Sequence, residues 1–167
     1  MEKSTNQEIA SEYVKTFKKS ENDFSMAIQN FGKVSPSNEK ENIHEHWDVK
    51  LEIKFDVKAL RKINRNDSTT DENIHWVELK NVQSKDGWLY GKSDAFAFET
   101  NDYWILVEKE KLQKFIAEKC MKKEWTPTPA LYKLYRRKER QDIITLVKTI
   151  DLIFISDKMI PKNLKTI

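Results

Sequence analysis

Cysteine is almost missing from this chain: Cys120 is the only one in 167 residues. A lone thiol excludes an intramolecular disulfide and a thiolate zinc cluster, fits a reducing compartment, and is expected to be buried rather than catalytic. Glycine is nearly as scarce, at three residues. The one stretch flanked by two of them, Gly87-Trp88-Leu89-Tyr90-Gly91, lacks the length and the Lys-Ser/Thr ending of a phosphate-binding loop, so nucleotide hydrolysis is not expected there. Its glycines read as turn formers beside bulky aromatics, and Trp88 and Tyr90 as core residues before base-stacking ones. Long apolar runs are absent as well. None approaches the ~20 residues needed to cross a bilayer, and Met1 to Ser20 carries charge throughout without the apolar core of a secretory signal. A soluble, cytoplasmic protein with no membrane partner is therefore expected. An excess of one charge is also lacking, with 30 basic against 27 acidic residues and a net charge of +3. That balance does not by itself announce a polyanionic partner, so the distribution of charge matters more than its total.

What the chain does have is 38% apolar and 34% charged residues in a length that suits one domain. Ile9, Tyr13, Val14 and Phe17 recur at helical spacing and predict a first helix over Asn6 to Phe17. Gly32 to Asn42 reads as a loop. From Trp47 to Lys58 every odd position is apolar (Trp47, Val49, Leu51, Ile53, Phe55, Val57) and every even one charged, the pattern of β structure with one buried face. Further strands are expected at His75 to Val82, Gly87 to Gly91, Ala95 to Phe98 and Tyr103 to Val107, the last two joined by a tight turn at Asn101-Asp102. Lys109 to Lys119 reads as a helix. Pro127 and Pro129 break the chain, and Leu131 through Ile153 reads as a final strong, helical element. The order is helix, strands, then helices, an α/β (α+β) pattern.

The residues able to carry chemistry lie on the alternating segment. Side chains alternate along a strand, so Asp56 and Lys58 project to the same side and present a carboxylate beside an ammonium. In phosphodiester hydrolysis two carboxylates can hold one or two Mg²⁺ ions that activate water and offset charge on the scissile phosphate, while a lysine positions the nucleophile or screens charge. Asp48 is one candidate partner for Asp56. On one straight strand, eight residues at about 3.3 Å each would part them by ~26 Å, so this pairing requires a turn near Leu51 to Ile53, which no Gly, Asn or Pro marks. The other candidate is Glu78, which heads the second acidic-x-Lys triplet, Glu78-Leu79-Lys80. The Asp48 pairing is preferred, with Glu78 as an extra carboxylate near the metal. The strands of Asp48, Asp56 and Glu78 are expected side by side in one sheet. Alternating charge is otherwise just a solvated strand face whose cross-strand pairs contribute little.

An acidic residue followed by Asp56-Val57-Lys58, preceded by a helix and followed by Trp76-Val77-Glu78-Leu79-Lys80-Asn81 and Ala95-Phe96-Ala97-Phe98, resembles the PD-(D/E)XK nuclease superfamily over roughly Glu8 to Leu112. The proline of the family motif is absent before Asp48, where Trp47 stands. The resemblance implies a restriction-endonuclease-like core, a helix and three consecutive strands with the acidic pair on the second and third, in a central mixed sheet flanked by helices. It implies one nuclease-like domain over 1–167, to which a C-terminal helical extension from about residue 126 is added. It further implies Mg²⁺ or Mn²⁺ as cofactor, Asp48, Asp56 and Glu78 as metal ligands, catalytic help from Lys58, and a helix carboxylate from Glu8 or Glu12. The expected partner is nucleic acid, DNA before RNA, with a homodimer left open. The alternative is a nuclease-like module that binds nucleic acid or protein without cleaving it.

Two further groups invite a role. His44 and His46 flank Glu45, but two histidines at i and i+2 without a third ligand make a poor zinc site; His46 could instead lie near substrate. Lys133, Arg136, Arg137 and Arg140 would form an i, i+3, i+4, i+7 stripe if their segment were helical, a stripe able to grip a phosphate backbone or simply to face solvent.

Overall fold

The computed structural model describes residues 6–28 (side chains from 14), 34–51, 53–63 and 69–162. Helix α1 runs Asn6–Ile28, well beyond the end expected at Phe17, because Ser20, Phe24, Ala27 and Ile28 continue its buried stripe. Strand β1 is Ser35–Pro36, and a single π-helical turn over Glu41–Glu45 follows it, beginning at the end of the segment expected to be loop. Strands β2 (Val49–Leu51) and β3 (Ile53–Lys58) are antiparallel, with Val49 opposite Phe55 and Leu51 opposite Ile53. The alternating segment is therefore a hairpin rather than one straight strand.

Short β4 (Arg61–Lys62) and β5 (Thr70–Asp71) pair with each other, and β6 covers Ile74–Lys80. Gly87 to Gly91, expected as a strand, is a 3-10 turn centred on Trp88–Tyr90. Strands β7 (Ala95–Glu99) and β8 (Tyr103–Glu108) form the expected hairpin, closed where Thr100 N–H donates to the Tyr103 carbonyl at 2.9 Å. Helix α2 spans Lys109–Lys119 as the sequence pattern predicts.

The remainder corrects the expected helical extension. Here lie β9 (Trp125–Thr126), β10 (Leu134–Tyr135), β11 (Ile143–Lys148), a seven-residue α3 (Thr149–Ile155) and β12 (Lys158–Pro161). The β-branched run Ile143-Ile144-Thr145 favours a strand, and Tyr132 and Glu139, at φ 58° and 61°, interrupt any continuous helix.

Six strands form a mixed sheet in the order β1-β2-β3-β7-β8-β12, in which β3 and β7 are parallel. A second sheet of four has the order β6-β11-β10-β9. Glu78 on β6 thus belongs to a different sheet from Asp48 and Asp56, against expectation. The reason lies in edges: β2 and β7 take both sides of β3, while β6 finds its partner in β11, with Glu78 opposite Ile144. Phe24, Ala27 and Ile28 of α1 cover one face of the larger sheet through Val49, Phe55, Val57 and Ala97. Phe96, Phe98, Ile105 and Val107 line the other face and pack with Leu112 and Ile116 of α2 and with Val77, Leu134 and Val147 of the smaller sheet. Cys120 is buried in this second core.

Candidate functional site

The hairpin decides the local chemistry. Asp48 N–H donates to the Phe55 carbonyl at 2.8 Å, and its carboxylate Oδ2 accepts from Val57 N–H at 2.7 Å. The side chain thus continues the β2 ladder one step further along β3. Its other oxygen accepts from Asn42 Nδ2 on the π-helical turn. Asp48 is held at both oxygens and delivered to Asp56.

Asp56 lies on a strand covered on both faces and is 5% exposed. Its Oδ1 meets Lys58 Nζ at 2.5 Å, while Oδ2 has no hydrogen-bond partner. Burial, with Asp48 beside it, pushes this carboxyl up to about 7 against the opposing pull of Lys58. Two acceptors face one another with no donor between them, an arrangement that a shared proton or a cation relieves. The Lys58 ammonium also sits 4.2 Å from the centre of the Trp88 ring, desolvated on that side by the indole.

Glu21 on α1 is the third carboxyl of this group, raised to about 7 first by burial and then by repulsion from Asp48, with Lys18 and Lys58 opposing. The sequence reading missed it. Its signal was the stripe itself: Glu21 precedes buried Phe24 by three residues and Ile28 by seven, an acid on an apolar helix face. Glu8 and Glu12, proposed for this part, lie outside the residues whose side chains are described.

His46 borders the group with a left-handed φ of 54°. Its imidazole is held below the usual histidine range, chiefly by burial and next by Lys58, although Asp48 opposes. Gly91 packs against it so closely that a Cβ there would lie 2.8 Å from His46 Cβ. Among the described residues no zinc site forms around His44 and His46, and no group of three or more His, Cys, Asp or Glu side chains is gathered as a metal cage.

Glu78 approaches from the smaller sheet without joining the Asp48–Asp56 contact. It accepts from Trp88 N–H at 3.4 Å, and burial raises its carboxyl while Trp88 N–H and Lys58 oppose. Trp88 therefore stands between Lys58 and Glu78, and it also packs against Phe96 with ring centres 4.9 Å apart. Lys80 turns away toward the Ser84 carbonyl at 3.3 Å.

The expected basic stripe does not form, because its residues lie in the non-helical segments on either side of β10. Lys133 pairs with Glu124 at 3.0 Å, Arg136 lies 5.2 Å from the centre of the Trp125 ring, and Arg137 is bound to buried Asp142. Arg140 is exposed in the following loop.

Comparison with family models, with curated proteins and with solved structures finds no match for this chain.

Proposed function

We propose that this chain is a divalent-cation-dependent nuclease of the PD-(D/E)XK type, with DNA the first substrate to test. The observation that carries the reading is the β2–β3 hairpin, which sets Asp48 against buried Asp56 with Lys58 paired to the same carboxyl. Support comes also from the order of a helix followed by three consecutive, adjacent strands, with the acidic residues at the start of the second and on the third. A carboxyl from the preceding helix, Glu21, completes the likeness. The family's proline is replaced by Trp47, and among the described residues β4 rather than a helix follows β3.

The donor set fits a hard cation at Asp56 and Asp48: carboxylate oxygens suit Mg²⁺ or Mn²⁺, and the partnerless Asp56 Oδ2 is a buried acceptor that such an ion would satisfy. When bound there, the ion would supply Lewis acidity toward a phosphoryl oxygen and toward water. Asn42 and Val57 N–H fix the Asp48 carboxylate, and Glu21 adds negative charge from α1. Lys58, anchored by Asp56 and backed by Trp88, offers its ammonium to the charge that builds on a phosphate as its bond to the leaving oxygen breaks. Glu78 orients Trp88 and, through it, the wall behind Lys58.

One observation favours the second reading, a nuclease-like module that binds without cleaving: both oxygens of Asp48 are already engaged. The test is cleavage of duplex, single-stranded and branched DNA and of RNA with Mg²⁺ or Mn²⁺. Asp56→Asn and Lys58→Ala are expected to lower the rate by ~10²-fold or more, and Asp48→Asn to damage it more than Glu78→Gln. A wild-type protein that cleaves none of these, or an Asp56→Asn variant that cleaves normally, overturns the proposal.

A further inference from the structure

The positive charge that the expected helical stripe failed to provide is gathered elsewhere. Where α2 ends, the chain turns through Lys122 and Lys123, the latter at φ 46°, and runs into β9. This turn and the segment leading to β10 enclose a cleft of about 260 Å³ whose lining includes Lys119, Lys122, Lys123, Lys133 and Tyr132. Four lysines face two glutamates there, and one of those, Glu124, is matched by Lys133 at 3.0 Å. Lys122 and Lys123 are exposed and make no salt bridge among the described residues.

Aromatic rings are set among these charges. Trp125 is 52% exposed, and the Arg136 guanidinium lies 5.2 Å from the centre of its ring. The Tyr132 ring carries the Lys119 ammonium at 5.3 Å. That ring is fixed in place, since its hydroxyl donates to Asp151 and accepts from Lys148 N–H at 3.2 Å. The cleft is smaller than the ~300–1,000 Å³ of a typical small-molecule pocket. It suits a length of polymer passing over it better than an enclosed metabolite. Ammonium groups beside an exposed aromatic face are the chemistry that holds a single strand, the lysines neutralising phosphates and Trp125 stacking on a base.

Its position fits as well. At the other end of α2, Lys109 Nζ donates to the Gly91 carbonyl at 3.2 Å, and Gly91 packs on His46 beside the carboxyl group of the candidate site. The helix between has eleven residues, about 15 Å at 1.5 Å per residue. Phosphates follow at ~3.4 Å along a duplex axis and further apart on an extended single strand, so a strand crosses that distance in about five nucleotides or fewer.

We propose that this lysine-lined cleft binds the phosphodiester backbone of a nucleic-acid strand, with Trp125 as the base-stacking platform, so that the strand reaches the Asp48–Asp56 site along α2. This rests on the nucleic-acid reading above and adds where the strand is held. The test is fluorescence anisotropy of a labelled oligothymidylate with the full chain, titrated at several salt concentrations. Lys119→Glu, Lys122→Glu and Lys123→Glu combined are expected to weaken binding at least ~10-fold and to reduce the slope of log affinity against log salt by about two to three. Trp125→Ala should weaken binding with the slope unchanged. Lys138→Glu with Arg140→Glu, exposed and outside the lining, should leave affinity nearly as it was. Near-ultraviolet circular dichroism of each variant confirms the fold, and the single-lysine reversals replace the triple if it misfolds. Wild-type affinity and slope in the cleft variants overturn the proposal, as does a wild-type chain that binds no oligonucleotide even at low salt. Binding lost in the cleft variants but kept in Asp56→Asn, with no cleavage by the wild-type chain, upholds the cleft and overturns the nuclease reading alone.

Discussion

Asp56 has one oxygen on Lys58 and the other without a partner, and its carboxyl ordinarily titrates at 3.8 but is raised to about 7 in the fold. A raised acid favours its protonated form, so in the metal-free protein its contribution is fully present below 3.8 and is lost as pH rises through about 7. Glu21 acts in the same direction. Metal-free protein is therefore expected to melt at lower temperature at pH 8 than at pH 5. Asp56→Asn should remove part of that slope and raise stability at pH 8 by something on the order of 2–3 kcal/mol; thermal melts of both proteins across this range check it. A variant that melts lower than wild type at pH 8 would show that the carboxylate is not the strained group argued here. Arg137 behaves in the opposite way. Its partner Asp142 is fully buried, so Arg137→Ala leaves an uncompensated charge and should cost ~3–5 kcal/mol in urea unfolding. Loss of nucleic-acid binding in that variant would report misfolding, not a lost phosphate contact.

At the scale of elements, much of the order was legible. Alternation over Trp47 to Lys58 announced β structure, and the 3.6-residue period of Leu112, Phe115 and Ile116 announced α2. The reversal between Leu51 and Ile53 carried no residue signature; only the ~26 Å objection to a straight strand pointed to it. The C-terminal part was misread because two-residue strands such as β9 and β10 are too short to show a period, and their register is set by partners distant in sequence. Glu78 was misassigned for a related reason: a strand's pattern tells which face is buried, not which edge it joins. One glycine is dictated by this packing. A Cβ on Gly87 would lie 2.4 Å from the Glu78 carbonyl oxygen, backbone that cannot step aside. Gly87→Ala is thus expected to cost about 1–3 kcal/mol and to disturb the Trp88 turn, with denaturant midpoints and tryptophan fluorescence as readouts. An unchanged midpoint would mean that the Gly87 turn lies less close to β6 than this contact indicates.

For the molecule as a whole, one apolar cluster takes side chains from both sheets and from α2 and α3, with Val77 and Val147 meeting Phe96, Phe98 and Val107. Neither sheet can lose its partner without exposing that core, so unfolding is expected to be a single cooperative transition, coincident by far-ultraviolet circular dichroism and tryptophan fluorescence. Separate transitions would divide the chain into two units. Lys58 meets Trp88, which Glu78 of the smaller sheet holds, and Asp56 of the larger one, so the candidate site depends on both sheets. Binding of a divalent cation by the Asp48–Asp56 pair is tested by isothermal titration of the full chain with Mn²⁺ at pH 8: saturable binding is expected that Asp56→Asn abolishes and Glu78→Gln largely retains, and equal binding by wild type and Asp56→Asn, or none by wild type, would rule the pair out as the cation site.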